Sequence, residues 1–250
     1  KIERLKNGKY LVRRINIPES NVEGILQDKQ GNIWVAGLDT SQASDGSGLD
    51  WFFSQPEFLI RDGVLHWRDE LRDSPELSLS HVNVVMQNSF HQHLMRVDVT
   101  PPVGLGQRLS VQGKFSQNPL QRSGDLRHWS GELYANAPDI DLSLLRQWLR
   151  FDRGIAIYEG KGGVRMWTDW VQGQLTGLTA DMALDAVDAR LGDSLKPLVL
   201  RHVSGRIGAK WLDGENEINS QDLVFDTQEG ERWPGGVLRM KWQGDDFRAG

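Results

Sequence analysis

Apolar and polar residues alternate with a period of two along most of this chain, and this pattern limits the fold more than any other feature. In segment 109–115, Leu109, Val111 and Phe115 are separated by polar side chains. The same alternation occurs in segments 95–99, 178–186, 203–211 and 238–242. Each is typical of a strand with one apolar and one charged face. Because the continuous Val/Ile runs of a doubly covered parallel sheet are missing, we predict a mainly β protein with a twisted antiparallel sheet.

One segment has helical rather than strand spacing. Its apolar residues fall on one face of a helix: Leu142, Leu145, Trp148 and Leu149. Asp139 or Asp141 can serve as the N-cap, and Gly154 lies just past the end. We therefore predict one α-helix near 141–151.

A second interruption lies upstream of Pro56. Residues 49–55 predict one or two helical turns, which the proline ends. The preceding residues 39–48 are rich in Ser, Asp and Gly, which favours a loop. We expect 1–250 to form a single segment, with 39–48 as the best candidate for an internal boundary or a disordered loop.

A short internal repeat suggests how such a sheet is extended. The sequence Leu-Ser-Leu-Ser-His-Val at 77–82 recurs as Leu-Val-Leu-Arg-His-Val at 198–203. One recurrence suits a sheet that grows by adding similar hairpins.

Composition excludes several classes of protein. The net charge of −5 argues against a dedicated nucleic-acid binder, which would carry a basic surplus. The absence of cysteine excludes disulfides, thiol catalysis and thiolate metal sites. The longest apolar run, 33–38, is far shorter than the ~20 residues of a membrane-spanning helix. The first residues carry no signal-peptide pattern and no initiator Met, so we expect a mature product or a piece of a longer protein.

Candidate chemistry is sparse. His91 and His93 have the His-x-His spacing with which some β-barrel metal sites begin, but no carboxylate follows before Asp98. We therefore expect both histidines near a strand start, within reach of water. Three acidic pairs have a composition that could serve glycoside hydrolysis: Asp139/Asp141, Asp181/Asp185 and Asp245/Asp246. We interpret Asp139 and Asp141 as helix caps, and Asp181 and Asp185 as the solvent-facing side of a strand. We predict no catalytic residue, no metal site and no cofactor.

The ten tryptophans allow a second hypothesis about the fold and function of the chain. Trp129, Trp211 and Trp242 fall on the apolar side of their segments, which favours packing in a core or along a groove. The alternative is a closed, Trp-rich β-sandwich that binds glycans through exposed rings. A third hypothesis, that the chain is a metal-dependent barrel enzyme, depends on His91 and His93.

Segment 51–70 resembles the Gln-Pro…Ile-Arg-Asp…Leu-x-Trp-x-Asp-Glu signature of the YhdP branch of the AsmA-like family. The likeness continues in the segments 82–88, 100–102, 129–134, 144–148, 163–167, 178–184 and 203–207, and at His93. It covers nearly all of 49–210, whereas 1–48 and 211–250 agree only in general character.

The resemblance implies a non-enzymatic lipid-transport segment of a Gram-negative envelope protein. Members of this family form long, curved β-sheets with an apolar groove that carries phospholipid through the periplasm toward the outer membrane. They are tethered by an N-terminal inner-membrane helix, and since no such helix is predicted in these 250 residues, we expect the chain to be an internal piece of such a protein. The implied partners are phospholipid and, through that anchor, the inner membrane.

The residue pattern fits such a groove physically. Leaving a 16-carbon acyl chain in water costs about 12 kcal/mol, and a long, open sheet that curves so that its apolar face lines a trough removes that cost. Because strands are ~4.8 Å apart, each added hairpin lengthens the trough. The predicted groove-lining residues are Leu109, Val111, Phe115, Leu178, Ala180, Met182, Leu184, Val203, Ile207 and Trp211.

Overall fold

The computed structural model describes residues 2–4, 10–12, 25–27, 32–35, 47–67, 75–145, 156–190, 196–212 and 215–243. The strands are β1 (Ile2–Arg4), β2 (Tyr10–Val12), β3 (Ile25–Gln27), β4 (Asn32–Val35), β5 (Glu57–Trp67), β6 (Leu77–Ser89), β7 (Gln92–Thr100), β8 (Leu109–Ser116), β9 (Ser130–Asp141), β10 (Ala156–Val171), β11 (Gln174–Arg190), β12 (Leu198–Leu212), β13 (Glu215–Thr227), β14 (Arg232–Trp233) and β15 (Leu238–Gln243). Two α-helices, α1 (Ser47–Ser54) and α2 (Leu142–Leu145), accompany them.

Strands β3 to β15 form one open sheet of 13 strands within the described residues. From β5 to β13 each strand pairs antiparallel with the next one in sequence, so the sheet grows hairpin by hairpin. The two ends of the sheet do not pair with each other, which confirms the predicted mainly β, open antiparallel architecture. One pair departs from the prediction, because β4 runs parallel to β5.

Helix α1 is longer than the predicted turn near 49–55 and begins earlier, at Ser47. It ends before Pro56, as expected from the ring that blocks a further helical turn. Its first turn is tied to the loop before β9, where the Gly124 N–H donates to Asp50 Oδ1 at 2.7 Å. Residues 39–46 of the predicted loop lie outside the described residues, and 47–48 belong to α1.

Helix α2 begins where the sequence predicted a helix. The carboxylate of Asp141 caps it, accepting a hydrogen bond from the Ser143 N–H at 3.1 Å. Lys161 Nζ lies 2.8 Å from the same carboxylate. The remainder of the predicted 141–151 helix, including Trp148, lies outside the described residues.

β-Bulges interrupt several strands of the sheet, and four of the bulges have a backbone feature in common. In each of these four, a non-glycine residue has a left-handed backbone, namely Asp62 (φ 53°), His81 (φ 48°), Ala186 (φ 51°) and Asp222 (φ 52°). At each position the strand carries one residue more than a neighbouring strand. Bulges bend a strand and increase its twist, so these four shape the sheet.

The bulge at Ala186 corrects one detail of the sequence prediction. Strict alternation along 178–186 placed Ala186 on the same side as Leu184. In the structure Ala186 is exposed, and Val187 is buried together with Leu184. The extra residue shifts the alternation of side chains by one position. The sequence pattern could not show this, because a bulge arises only from the pairing with a neighbouring strand.

The sequence repeat corresponds to a repeated local structure. His81 Nδ1 lies 2.6 Å from Asp62 Oδ1 on the preceding strand, and His202 Nδ1 lies 2.7 Å from Asp185 Oδ1 in the equivalent arrangement. Both pairs sit where the strands carry extra residues.

No helix in the described part of the chain is long and apolar enough to span a membrane.

Candidate functional site

The strand register places the ten predicted groove residues on one side of the sheet, here called the apolar face. Directly paired residues of an antiparallel ladder point to the same side. One row of such pairs crosses five strands through Val111, Ala135, Met166, Ala180 and Ile207. The other predicted residues lie an even number of positions away on β8, β11 and β12, once the bulges are counted. Whether they line a lipid path stays a prediction.

This row continues beyond the predicted residues in both directions. Val97, Val84 and Ile60 extend it to β5, and Ser220 and Leu238 extend it to β15. The row therefore crosses ten strands, which at ~4.8 Å per strand is about 43 Å. An apolar surface of this kind runs across the strands and not along them, so its length is set by the number of hairpins.

A parallel second row lies one alternation away. It is formed by Phe58, Met86, Met95, Gly113, Leu133, Thr168, Leu178, Ala209, Ile218 and Met240. The one hydroxyl in this row is engaged, since Thr168 Oγ1 accepts a hydrogen bond from Trp170 Nε1 at 2.8 Å. Ser220 in the first row likewise accepts from the Leu238 N–H at 3.3 Å. Both hydroxyls are buried and satisfied, so neither breaks the apolar character of the surface.

Gly113 allows two larger side chains to lie flat on this face. A Cβ at Gly113 would be 2.7 Å from the Phe115 ring and 2.8 Å from Met95 Cγ. Both side chains therefore occupy the space above the glycine. Because Gly113 has no side chain, nothing projects from the sheet between these two larger neighbours.

Two helices cover opposite margins of the apolar face. On one margin Phe53 of α1 packs with Met86 and Trp129 in a buried cluster that Phe58 and Phe115 adjoin. The Phe53 and Trp129 ring centroids are 4.6 Å apart at 70°. Aromatic edge-to-face contacts of this kind add to the burial of apolar area.

On the other margin Leu142 of α2 packs against a cluster of Leu184, Val187, Ala189, Leu200 and Val203. Four of the ten predicted residues therefore lie in or beside the two clusters: Phe115, Met182, Leu184 and Val203. Between the margins lies a strip of half-buried residues, which includes Leu109, Val111, Leu178 and Ile207. On β8 the strip spans Leu109 to Gly113, about 14 Å.

The opposite side, here called the polar face, carries charge pairs across the strands. Asp181 is paired with Arg206 at 2.5 Å and with Arg165 at 3.4 Å. The hydrogen bond from Arg206 holds the pKa of the Asp181 carboxyl below its ordinary value. The sheet thus has one face suited to apolar contact and one suited to water.

His93 lies at the start of β7, as predicted, but it is not accessible to water. Its side chain is 2% exposed and stacks on the Trp129 ring with centroids 4.1 Å apart. Asn88 Oδ1 lies 2.8 Å from His93 Nδ1, and burial lowers the pKa of the imidazole. The expectation of water access is confirmed for His91, which is exposed in the turn before β7, and is wrong for His93. Stacking on an aromatic ring, which alternation cannot reveal, explains the difference.

The described residues contain no cluster of three or more His, Asp or Glu side chains that could hold a metal ion. The acidic pairs within the described range have structural partners. Asp141 caps α2, Asp181 pairs with arginines and Asp185 pairs with His202. The pair Asp245/Asp246 lies outside the described residues.

Sequence reasoning missed the central part of the apolar face. Ala135 and Ala137 on β9, and Val164 and Met166 on β10, are half-buried members of it. The alternation of Val164 and Met166 with Arg165 and Trp167 was a usable signal. Trp167 obscured it, because a large aromatic residue occupies the polar phase of the strand.

A family model described as YhdP protein matches residues 5–249. No curated protein matches the chain, and no solved structure does. The match extends the resemblance found at 49–210 to both flanks and confirms it. The chain belongs to the YhdP family.

Proposed function

We propose that this chain is a lipid-transport segment of a bacterial envelope protein, and that its apolar face shields phospholipid acyl chains in passage. The YhdP family is a family of bacterial envelope proteins. The observation that carries the proposal is the apolar row that crosses ten strands without an unsatisfied polar group among its described members.

Burial of the acyl chain supplies the driving force. Each CH₂ moved from water to an apolar surface contributes about 0.8 kcal/mol, so a bare 16-carbon chain costs about 12 kcal/mol in water. The strip of the apolar face between α1 and α2 shields the acyl chain from water at every strand that it crosses, and so removes that cost. The headgroup remains in water beyond the margin, so passage requires no bond to be made or broken. We therefore propose a non-enzymatic role.

The setting follows from the same proposal. In the longer protein the segment would stand in the periplasm, tethered to the inner membrane, with phospholipid moving toward the outer membrane. An open sheet suits this setting because it lengthens by added hairpins and leaves the headgroup outside.

Native mass spectrometry with lipid extraction, on protein purified from Gram-negative cells, tests the proposal. We expect phospholipid to copurify with the wild-type chain. Met182→Asp places a carboxylate on the apolar face and should strongly reduce the bound lipid. Ala183→Asp, on the exposed neighbouring position of the polar face, is the matched control and should retain it. Equal lipid content in the two variants, or none in the wild type, would contradict the proposal.

A further inference from the structure

The polar face carries a shallow depression at the centre of the sheet, with a volume of about 410 Å³. Strands β7 to β10 form its floor. Its rim and floor on this face include Leu94, Arg96, Gln112, Lys114, Tyr134 and Trp167. It lies on the opposite side of the sheet from the proposed lipid path.

An aromatic platform occupies the depression. Trp167 and Tyr134 are direct partners across β10 and β9, with ring centroids 5.2 Å apart. Trp167 is 37% exposed, and it is a large aromatic residue on the otherwise charged side of its strand. The Arg206 guanidinium lies 5.9 Å from the indole centroid on the neighbouring side. An exposed indole held in place by two neighbours is a preformed surface for stacking.

Unpaired hydrogen-bonding groups surround this platform. Gln112 is the cross-strand partner of Tyr134, and Lys114 is the partner of Glu132. The described residues supply no hydrogen bond or ion pair to the side chains of Gln112, Lys114 or Glu132. They therefore offer an amide, an ammonium and a carboxylate to an incoming ligand.

The charges that line the depression and the pairing of the main chains beneath it restrict the class of ligand that it can bind. The lining holds two basic residues, Arg96 and Lys114, and two acidic ones, Glu132 and Asp169, so the site favours an uncharged ligand. Arg96 is moreover already paired with Asp98 at 2.8 Å. The main chains of β7 to β10 are paired on both sides, so an extended peptide finds no strand edge to join.

We propose that the depression binds an uncharged, extended glycan chain. A pyranose ring presents C–H groups on its faces and hydroxyls at its edge, which matches an aromatic platform ringed by polar side chains. One sugar ring stacks on Trp167, with Tyr134 beside it. Gln112, Lys114 and Glu132 bind the hydroxyls. The open shape accommodates a chain that continues past the site in both directions.

Titration calorimetry of the 250-residue chain with cellohexaose and with chitohexaose tests the proposal. We expect heat of binding with at least one of these probes, weakened about tenfold or more in Trp167→Ala. Trp51→Ala is the matched control, since Trp51 is a 47% exposed indole on α1, away from the depression. Its affinity should stay within about twofold of the wild type.

Two further variants keep the test decisive if Trp167→Ala fails to fold. Trp167→Phe should retain part of the affinity, and Gln112→Ala should weaken binding with an unchanged melting temperature. Three outcomes would overturn the proposal: no binding of either probe at millimolar concentration, equal losses in Trp167→Phe and Trp51→Ala, or binding of sulfated dextran in preference to both neutral probes.

Discussion

His93 is a titratable side chain enclosed by aromatic rings. It stacks on Trp129, and the Phe53 ring centroid lies 5.7 Å away. Because burial lowers its pKa below the ordinary 6.5, the unfolded chain binds a proton that the folded chain rejects. This contribution to stability is complete above about pH 6.5 and is lost as the pH falls through that value.

We therefore expect the wild type to lose more thermal stability than His93→Phe between about pH 7.5 and about pH 5.5. Phenylalanine preserves the stacking but cannot titrate. The remaining histidines, several of them paired with carboxylates, are common to both proteins and cancel in the comparison. Parallel pH profiles of the two melting temperatures would show that His93 is not the responsive group.

At the scale of elements, α1 depends on the contacts of one side chain with the sheet. Phe53 is 8% exposed and packs with Met86 and Trp129. We expect Phe53→Ala to lower the free energy of unfolding by about 3 kcal/mol, since the substitution leaves a cavity under the helix. Trp51→Ala on the exposed side of α1 should change it by less than about 0.5 kcal/mol. Denaturant unfolding checks both values, and similar losses would mean that α1 is not anchored through Phe53.

The sequence predicted the strands and their apolar sides better than it predicted how neighbouring strands pair. Segments 95–99, 109–115, 203–211 and 238–242 lie within β7, β8, β12 and β15, because alternation is a local property. The bulge at Ala186 and the parallel pairing of β4 with β5 depend on neighbouring strands, so no local period reveals them. Likewise His93 looked accessible because the stacking residue, Trp129, is distant in sequence. The apolar face was therefore predictable from alternation, even on β10 where the signal was missed, whereas its bulges and the packing of the two helices on its margins were not.

At the scale of the whole molecule, a charge on the apolar face should cost less stability in the open strip than under a helix. Val111 is half-buried in the strip between the helices, whereas Leu184 is 7% exposed in the cluster with α2. We expect Val111→Asp to lower the free energy of unfolding by less than about 2 kcal/mol. Leu184→Asp should be far more destabilising, since its carboxylate would be enclosed without a partner. Comparison of the two melting temperatures checks this, and equal losses would indicate a dry, closed core at both positions.

In the full-length protein, Val111→Asp should block phospholipid passage although the fold persists. An acyl chain that passes the carboxylate must strip its water, which costs several kcal/mol. Arrival of pulse-labelled phospholipid in the outer membrane measures the effect. Normal arrival in cells that depend on the folded variant would place the lipid path elsewhere.

Photo-crosslinking in living cells tests the lipid path most directly. A photoreactive amino acid is placed in the full-length protein at Ala209 or Val111 on the apolar face, or at Lys210 on the polar face. We predict phospholipid adducts, identified by mass spectrometry, at Ala209 and at Val111 and none at Lys210. Adducts at Lys210 with none at Ala209 or Val111, or no lipid adduct at any of the three positions, would contradict the account.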